Sequence, residues 1–369
     1  MKIGISTLSG LSYGGITYFN NILHALGRVD KNNKYVIFIS EDGQNNFVPD
    51  KSNFEYVIIK KVSKNALLRF FWEQFILPFK LKKMNIDVFY TAKNLNIFLS
   101  NKKTVIAIRN MEPFFYKNYN NELKLNIVSW LRRVLTTVSM RKASTIIVVS
   151  KFVKDYLSEN YINNKMKLRV VYNGNPISNQ SQLKKNTKGI KYLLTASKFI
   201  SYANQLSLLK GYNDLNNRIE GLPPLWFAGG INDNTYYKLI IDYVDKNNLN
   251  EKIQMLGLVE HSELINLYND CYGFIFPSTL EACPHTLIEV MSLGIPMAVS
   301  NYDPMPEICG DSAIYFPPYD EIGISNSIER LLFDHKLRTQ LKQASLSRSR
   351  FFNWHKSAKE LVNVFEELA

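Results

Sequence analysis

Two carboxylates, Glu281 and Glu289, bracket a Cys-Pro-His in the nine residues EACPHTLIE, within the longer run FIFPSTLEACPHTLIEVMSLGIPMAVS. Carboxylates are hydrogen-bond acceptors, and two of them on either side of a helix start can take hydroxyl groups that flank a bound anion. The helix N-terminus supplies the anion site, because its first backbone N–H groups lack intrahelical partners and carry the positive end of the dipole. A diphosphate with a sugar on one side and a ribose on the other has that arrangement of hydroxyls. The plain alternative is a loop glutamate near a dipole and a solvated helix glutamate, since two Glu at a given spacing are common by chance.

The neighbouring residues predict the elements that would position this pair. The strand YGFIF ends at Pro277, which cannot donate to a sheet ladder. Pro284 suits a first helical position, where a missing N–H costs nothing. The helix is then expected from about Pro284 to Leu293, stopped by Gly294 with Pro296 beyond it. That puts Glu281 in the loop and Glu289 on the second turn, with the N–H groups of His285 and Thr286 between them.

The same grammar fills the chain. Apolar runs KIGIST, YVIFIS, EYVIIK, VFYT, TVIAI and STIIVVS alternate with helical patterns in the first half; YLLTAS, LWFAGG, IQMLG, YGFIF and PMAVS do so in the second. Strands apolar throughout and separated by helices predict parallel sheets covered on both faces. The expected fold class is α/β, with two Rossmann-like doubly wound domains facing each other across a cleft. The polar stretch NGNPISNQSQLKKNTKGIK marks the boundary. Ligands of such sheets bind at the carboxyl ends of the strands.

With 369 residues, 46% of them apolar or aromatic, the chain can fill two cores. Cys271, Cys283 and Cys309 include no C-x-x-C pair, so neither a disulfide framework nor a thiolate metal site is expected, which fits a reducing, cytoplasmic compartment. Neither an export signal nor an apolar run of about 18 residues stands out. The formal charge of +13 is lopsided: residues 1–180 hold 27 Lys and Arg against 11 Asp and Glu, the remainder 18 against 21. The first half should face something anionic, a condition that nucleic acid and an anionic membrane surface both meet.

Residues 253–318, with EACPHTLIE at their centre and NYDPMPEICGDSAIYFPP after it, resemble the C-terminal signature of the family 4 (group 1) retaining glycosyltransferases of the GT-B fold. By that resemblance, Glu281 would bind hydroxyls of the transferred sugar and Glu289 those of the ribose, with the backbone of Ala282, Cys283 and Pro284 lining the sugar site and His285 acting first as a backbone donor. It also implies that Gly257, Leu258 and Val259, in IQMLGLVEHSELINLY, would touch the nucleobase. Lys198, in TASKFISYANQ, would face the diphosphate, but Ala203 stands where relatives commonly carry a second cation. Gly14 and Gly15 would let a loop between the first strand and first helix approach the donor phosphates.

On the acceptor side, Arg109 and Asn110 in TVIAIRNMEPF occupy a strand end where many relatives carry a His-Asp or His-Asn, so an acceptor-side His base is absent. The departure suits a front-face substitution in which the leaving phosphate takes the acceptor proton. The catalytic candidates are Glu281, Lys198, Arg109 and Asn110. The domains implied are 1–176 for the acceptor, with 353–369 (NWHKSAKELVNVF and beyond) returning to it, and 177–352 for the nucleotide-sugar donor. No metal or other cofactor is expected, and the sequence offers neither Asp-x-Asp in a plausible loop nor a Cys/His cluster.

Two basic stretches, NALLRFFWEQFILPFKLKKMN and LKLNIVSWLRRVLTTVSMRKA, mix aromatic and aliphatic residues with Lys and Arg at helical spacing. Each either packs its apolar stripe on the sheet with a solvated basic face or lies at a membrane interface. The charge surplus favours the second, and with it a peripheral protein at the inner face of a membrane, acting on a lipid-linked acceptor. A sugar-nucleotide epimerase on the same fold would need acid and base side chains that the first half does not offer. A nucleic-acid-binding protein would need a recognisable module, and its basic residues would be gathered rather than scattered among apolar strands.

Overall fold

Branched apolar runs form the strands of two all-parallel sheets, and helices after nearly every strand cover their faces. The computed structural model describes residues 1–8, 13–43, 52–60, 65–119, 123–162, 167–177 and 191–368. The chain divides into two units, Met1–Pro176 with Asn353–Ala369, and Ile177–Phe352. Most of the polar stretch read as the boundary, residues 178–190, lies outside the described residues.

The first unit has strands β1 (Lys2–Ser6), β2 (Lys34–Ser40), β3 (Phe54–Ile59), β4 (Val88–Thr91), β5 (Lys103–Ile108), β6 (Thr145–Val148) and β7 (Leu168–Val170), in the order β3-β2-β1-β4-β5-β6-β7. The closing strand pairs with β6 through Leu168–Val170. The last helix, Trp354–Glu366, buries Ala358, Leu361, Val364 and Phe365 against the same core as the first helix, Tyr13–Val29. Ser357 donates to the Tyr172 carbonyl at 2.6 Å. Gly174 leaves room for this helix, since a Cβ there would stand 2.4 Å from the Trp354 ring and backbone. The C-terminal helix thus completes the core of the first unit.

The second unit has β8 (Leu193–Ala196), β9 (Leu225–Ala228), β10 (Ile253–Gly257), β11 (Gly273–Phe276), β12 (Met297–Ser300) and β13 (Ile314–Phe316), in the order β10-β9-β8-β11-β12-β13. β8 pairs with β9 on one side and β11 on the other, so strand order reverses between β8 and β11. The ends of these two strands therefore mark a topological switch point, where open α/β sheets bind ligands. β13 has only three residues, too few for periodicity to mark.

Candidate functional site

β11 leads into Pro277 and then the loop that carries Glu281, and the helix beyond it spans His285–Ser292. Pro284 is the residue before that helix, in extended backbone with φ −70° and ψ 113°, and not its first helical residue. Proline fits both places because its φ is nearly the same in each; the ψ value decides, and it is set by the loop. The helix ends as its sequence requires. Gly294 takes φ +66°, its N–H reaches the Met291 carbonyl at 3.0 Å, and the Ile295 N–H reaches Val290 at 3.2 Å, which is the Schellman arrangement.

Glu281 sits in the loop and Glu289 on the second turn. Glu289 is not solvated: it is 4% exposed, and His261 Nε2 lies 2.8 Å from its Oε1. That carboxylate lifts the His261 imidazole above its ordinary range, against the opposing effect of burial. Beneath the pair, the fully buried Tyr268 is held far above the usual phenol range by desolvation and then by the charge of Glu289. A glutamate gripped in this way has its Oε1 held in a fixed direction.

Glu281 is held differently. Ser278 Oγ stands 3.1 Å from its Oε1 and 3.3 Å from the Tyr202 carbonyl. Burial pushes the carboxyl up to about 7, with the Ser278 hydrogen bond opposing that shift. Near neutrality this group therefore exists in both protonation states, as donor and as acceptor.

The loop after β8 is stitched to the loop after β11. The Tyr202 carbonyl accepts from the Thr279 N–H at 2.8 Å and from Thr279 Oγ1 at 3.0 Å. Asn204, left-handed at φ +57°, sends its Nδ2 to the carbonyls of Pro277 and Pro318. Gln205 Nε2 donates to Ser197 Oγ at 2.9 Å and to the Lys198 carbonyl at 2.8 Å, fixing the backbone from which the exposed Lys198 side chain projects. Ala203 is buried in the 3-10 turn Ser201–Ala203, and that turn contributes no cation.

At the end of β10, Gly257 takes φ +67° and accepts from the Gly229 N–H at 2.7 Å. Leu258 is exposed, Val259 half-buried, and the helix His261–Asp270 begins two residues later. Gly229 allows a close approach that sequence reading does not reveal: a Cβ there would fall 1.9 Å from the Ser197 carbonyl oxygen, against the loop bearing Lys198. Ala282, Cys283 and Pro284 are buried, while His285 and Thr286 are half-buried at the helix start.

The remaining candidates belong to the first unit. Gly14 and Gly15 lie in the first turn of the helix Tyr13–Val29, not in a loop before it, and a Cβ on Gly14 would meet nothing within 4 Å. The first turn of a helix tolerates glycine because its N–H groups have no intrahelical partners, and the amphipathic residues beyond carry the helix. Residues 9–12 of the expected glycine loop lie outside the described residues. Arg109 lays its guanidinium over the Tyr18 ring at 3.6 Å, beside the hydrogen-bonded hydroxyls of Tyr18 and Tyr90. Asn110 accepts from the Glu112 N–H at 2.9 Å and so shapes the next turn.

The second unit thus gathers Lys198, Gly257, Glu281, His285 and Glu289 at the carboxyl ends of its strands, and the first unit holds Gly14, Gly15, Arg109 and Asn110. Sequence reasoning misses His261, Ser278, Tyr202 and Gly229; of these, His261 alone carries a signal, its place directly after the G-L-V-E turn. Among the described residues, His, Cys, Asp and Glu do not come together in threes. The three cysteines are buried, and none of them is in a disulfide.

Two family profiles match the chain, "Glycosyl transferases group 1" over residues 177–348 and "Glycosyltransferase Family 4" over residues 14–178. O-antigen chain mannosyltransferase B of Escherichia coli is 28% identical over 167 residues, 45% of this chain and 43% of that protein. The chain spans less than half the length of the first curated relatives it matches. Among solved structures, sucrose-phosphate synthase from Thermosynechococcus elongatus superposes with a TM-score of 0.77 at 15% identity, covering 100% of this chain and 99% of that one. Anabaena HepE in complex with UDP and glucose superposes with a TM-score of 0.72 at 14% identity, covering 100% of both chains.

Proposed function

Because the chain belongs to the group 1, family 4 glycosyltransferases, we propose that it transfers a sugar, with retention and without a metal, from a nucleoside diphosphate sugar to a glycan acceptor. The similarity to an O-antigen mannosyltransferase supports a place in bacterial surface polysaccharide or glycolipid assembly. The acceptor in this reading is lipid-linked and met at the anionic inner face of a membrane, with the first unit holding it and the second unit holding the donor.

One observation carries the reading: Glu281 and Glu289 flank the start of the helix His285–Ser292 at the switch point of the second sheet. Glu289, oriented by His261, accepts the ribose hydroxyls, and the strand end Gly257–Val259 borders the base. The helix start and the Lys198 ammonium stabilise the diphosphate as its charge grows on departure, the electrostatic contribution that dominates such transfers. Glu281 takes a sugar hydroxyl; being poised near pH 7 it can donate or accept there. The acceptor hydroxyl attacks the face the leaving group departs from, and the leaving phosphate oxygen takes its proton, so that no protein base is required.

The test is calorimetry of the full chain against UDP, GDP, dTDP and ADP and their sugar conjugates, repeated on Glu289→Ala. The reading expects one nucleotide to bind, with affinity falling tenfold or more in the variant, which is about 1.4 kcal/mol. Binding that is indifferent to Glu289, or absent for every nucleotide, defeats it. Once a donor is known, the anomeric configuration of the product, read by NMR, tests retention.

A further inference from the structure

Two segments of the first unit pack apolar residues such as Trp72, Leu77, Leu81 and Met140 inward, turn polar residues inward beside them, and carry a second apolar stripe outward. The helix Leu123–Lys142 buries Ser129, Thr136 and Ser139, the last fully, while Ile127, Leu131, Val134 and Val138 form an exposed stripe with Trp130 beside it. The segment Ala66–Lys83, helical with a π-helical stretch at Trp72–Ile76, buries Glu73 and Gln74 and exposes Leu67, Phe71, Phe75 and Phe79 at intervals of four. Phe79 is 75% exposed and Leu67 69%. A surface helix ordinarily keeps its outward side polar, and a clustered apolar surface of this kind marks a contact site.

Both segments border one loop. Gln74 donates to the Asn96 carbonyl at 3.0 Å and accepts from the Phe98 N–H at 2.8 Å. From the other side, Ser139 Oγ accepts the Asn96 N–H at 3.0 Å and Lys142 donates to the Phe98 carbonyl. Gln74, Ser139 and Glu73, turned inward, thus fasten the segments to the loop between β4 and β5, whose own Leu99 is exposed. The buried side is accounted for, and the apolar side is left facing outward.

Charge decides the occupant. Exposed Lys82 and Lys83 belong to one segment, and exposed Arg132, Arg141 and Lys142 to the other; Arg132 also leans on Glu112 at 3.7 Å. Residues 123–142 contain no Asp or Glu, and Glu73 is buried in an ion pair with Lys93. A second copy of this chain would set these cations against each other. An anionic bilayer accepts both features, taking the aromatic and aliphatic residues into the acyl boundary and the cations among the headgroups. No helix of the described residues is long and apolar enough to cross a membrane, so the contact lies in the interface plane.

We propose that Ala66–Lys83, Leu99 and Leu123–Lys142 form one face that inserts into the interface of an anionic lipid bilayer. The proposal rests on the membrane part of the functional reading and not on its donor chemistry.

The experiment is flotation of the full chain with vesicles of phosphatidylglycerol and phosphatidylethanolamine, with phosphatidylcholine vesicles as the uncharged control. Lipids brominated in the acyl chains serve as quenchers, and Trp130→Phe isolates the Trp130 signal from the other tryptophans. Binding to the anionic vesicles is expected, with Trp130 quenched and partitioning at least tenfold weaker in Phe75→Glu/Leu131→Glu, whose nucleotide binding and circular dichroism stay unchanged. No binding at low salt, binding that the double variant retains, or a dimer that the double variant dissociates in sedimentation equilibrium each overturns the proposal. Vesicle binding without any nucleotide binding would leave this face standing and remove the transferase reading, and the converse would do the opposite.

Discussion

The two units share one architecture and spend their polar residues differently. In the second, serine, threonine, glutamine and histidine side chains sit at the strand ends and tie one loop to the next, while the helix His285–Ser292 buries Leu287, Ile288, Val290 and Met291 in the ordinary way. In the first, Glu73, Gln74, Ser129 and Ser139 are turned under two peripheral segments that carry, besides their buried apolar residues, an apolar stripe facing out. The exposed large apolar residues of the second unit, such as Leu239, Leu258 and Ile322, are scattered over two helices and a turn instead of forming one stripe. The same fold therefore carries hydrogen-bonded polar strand ends in one unit and an outward apolar stripe in the other, and what its peripheral helices turn outward separates the two.

Substitutions that break the polar stitching should cost most. Gly229→Ala places a Cβ 1.9 Å from the Ser197 carbonyl, and a forced backbone shift of that kind should lower stability by about 3 kcal/mol or more. Chemical denaturation would measure it, and loss of nucleotide binding should accompany it because Lys198 is on the displaced loop. A wild-type midpoint would mean that the strand ends are not packed as described.

Glu289→Ala comes next, since it removes a buried acceptor and leaves His261 and Tyr268 facing an apolar gap; a loss of about 2 kcal/mol is expected. The His261–Glu289 pair itself should depend on pH. His261 is raised in the folded state, so the pair's contribution is complete below the imidazole's unfolded pKa, about 6.5, and is lost as pH rises through the folded value. Glu289 is buried but His261 is partly exposed, which limits the effect to about 1 kcal/mol. Thermal melts of His261→Ala and wild type should differ more at pH 6 than at pH 9.

Glu281 should show the opposite sign. Its folded pKa of about 7 lies above the ordinary 4.5, so the folded state holds the proton longer and stability falls as pH rises between those values. Glu281→Gln should therefore stabilise the ligand-free protein by about 1 kcal/mol at pH 8, after discounting for partial exposure, and by almost nothing at pH 4. Equal stability at pH 8 would place this carboxyl in water.

The smallest effect is predicted for the outward apolar stripe of the first unit. Phe75→Glu and Leu131→Glu replace exposed residues and should move stability by less than about 0.5 kcal/mol. A large loss from either would show that the stripe is internal packing, and the contrast between the units would disappear.

Much of this is legible in the sequence where one residue constrains its neighbours. Alternating apolar runs locate β1 to β6 and β8 to β12, Pro277 marks the exit of β11, and Gly294 stops the helix because only a residue tolerant of positive φ fits there. The spacing of Glu281 and Glu289 places one in a loop and the other on the second turn. Pro284 is misplaced by one position, since its ring fixes φ and leaves ψ to the surroundings. Gly14 and Gly15 are misread as loop, because tolerance of glycine at a helix start gives no local signal.

The class of fold, the alternation of its elements, the uneven charge and the location of the acidic pair are therefore properties of the sequence alone. Each of these depends on composition, on periodicity or on the conformational limits of single residues. Tertiary packing was needed to bury Glu289 against a histidine 28 residues earlier, to press Gly229 against Ser197, and to turn the serines of a basic helix inward. Those features are set by which sheet a segment packs on and which side it presents. A pattern of apolar and polar residues fixes the stripe on a helix, but the partner that covers it is chosen by contacts between residues far apart in the chain.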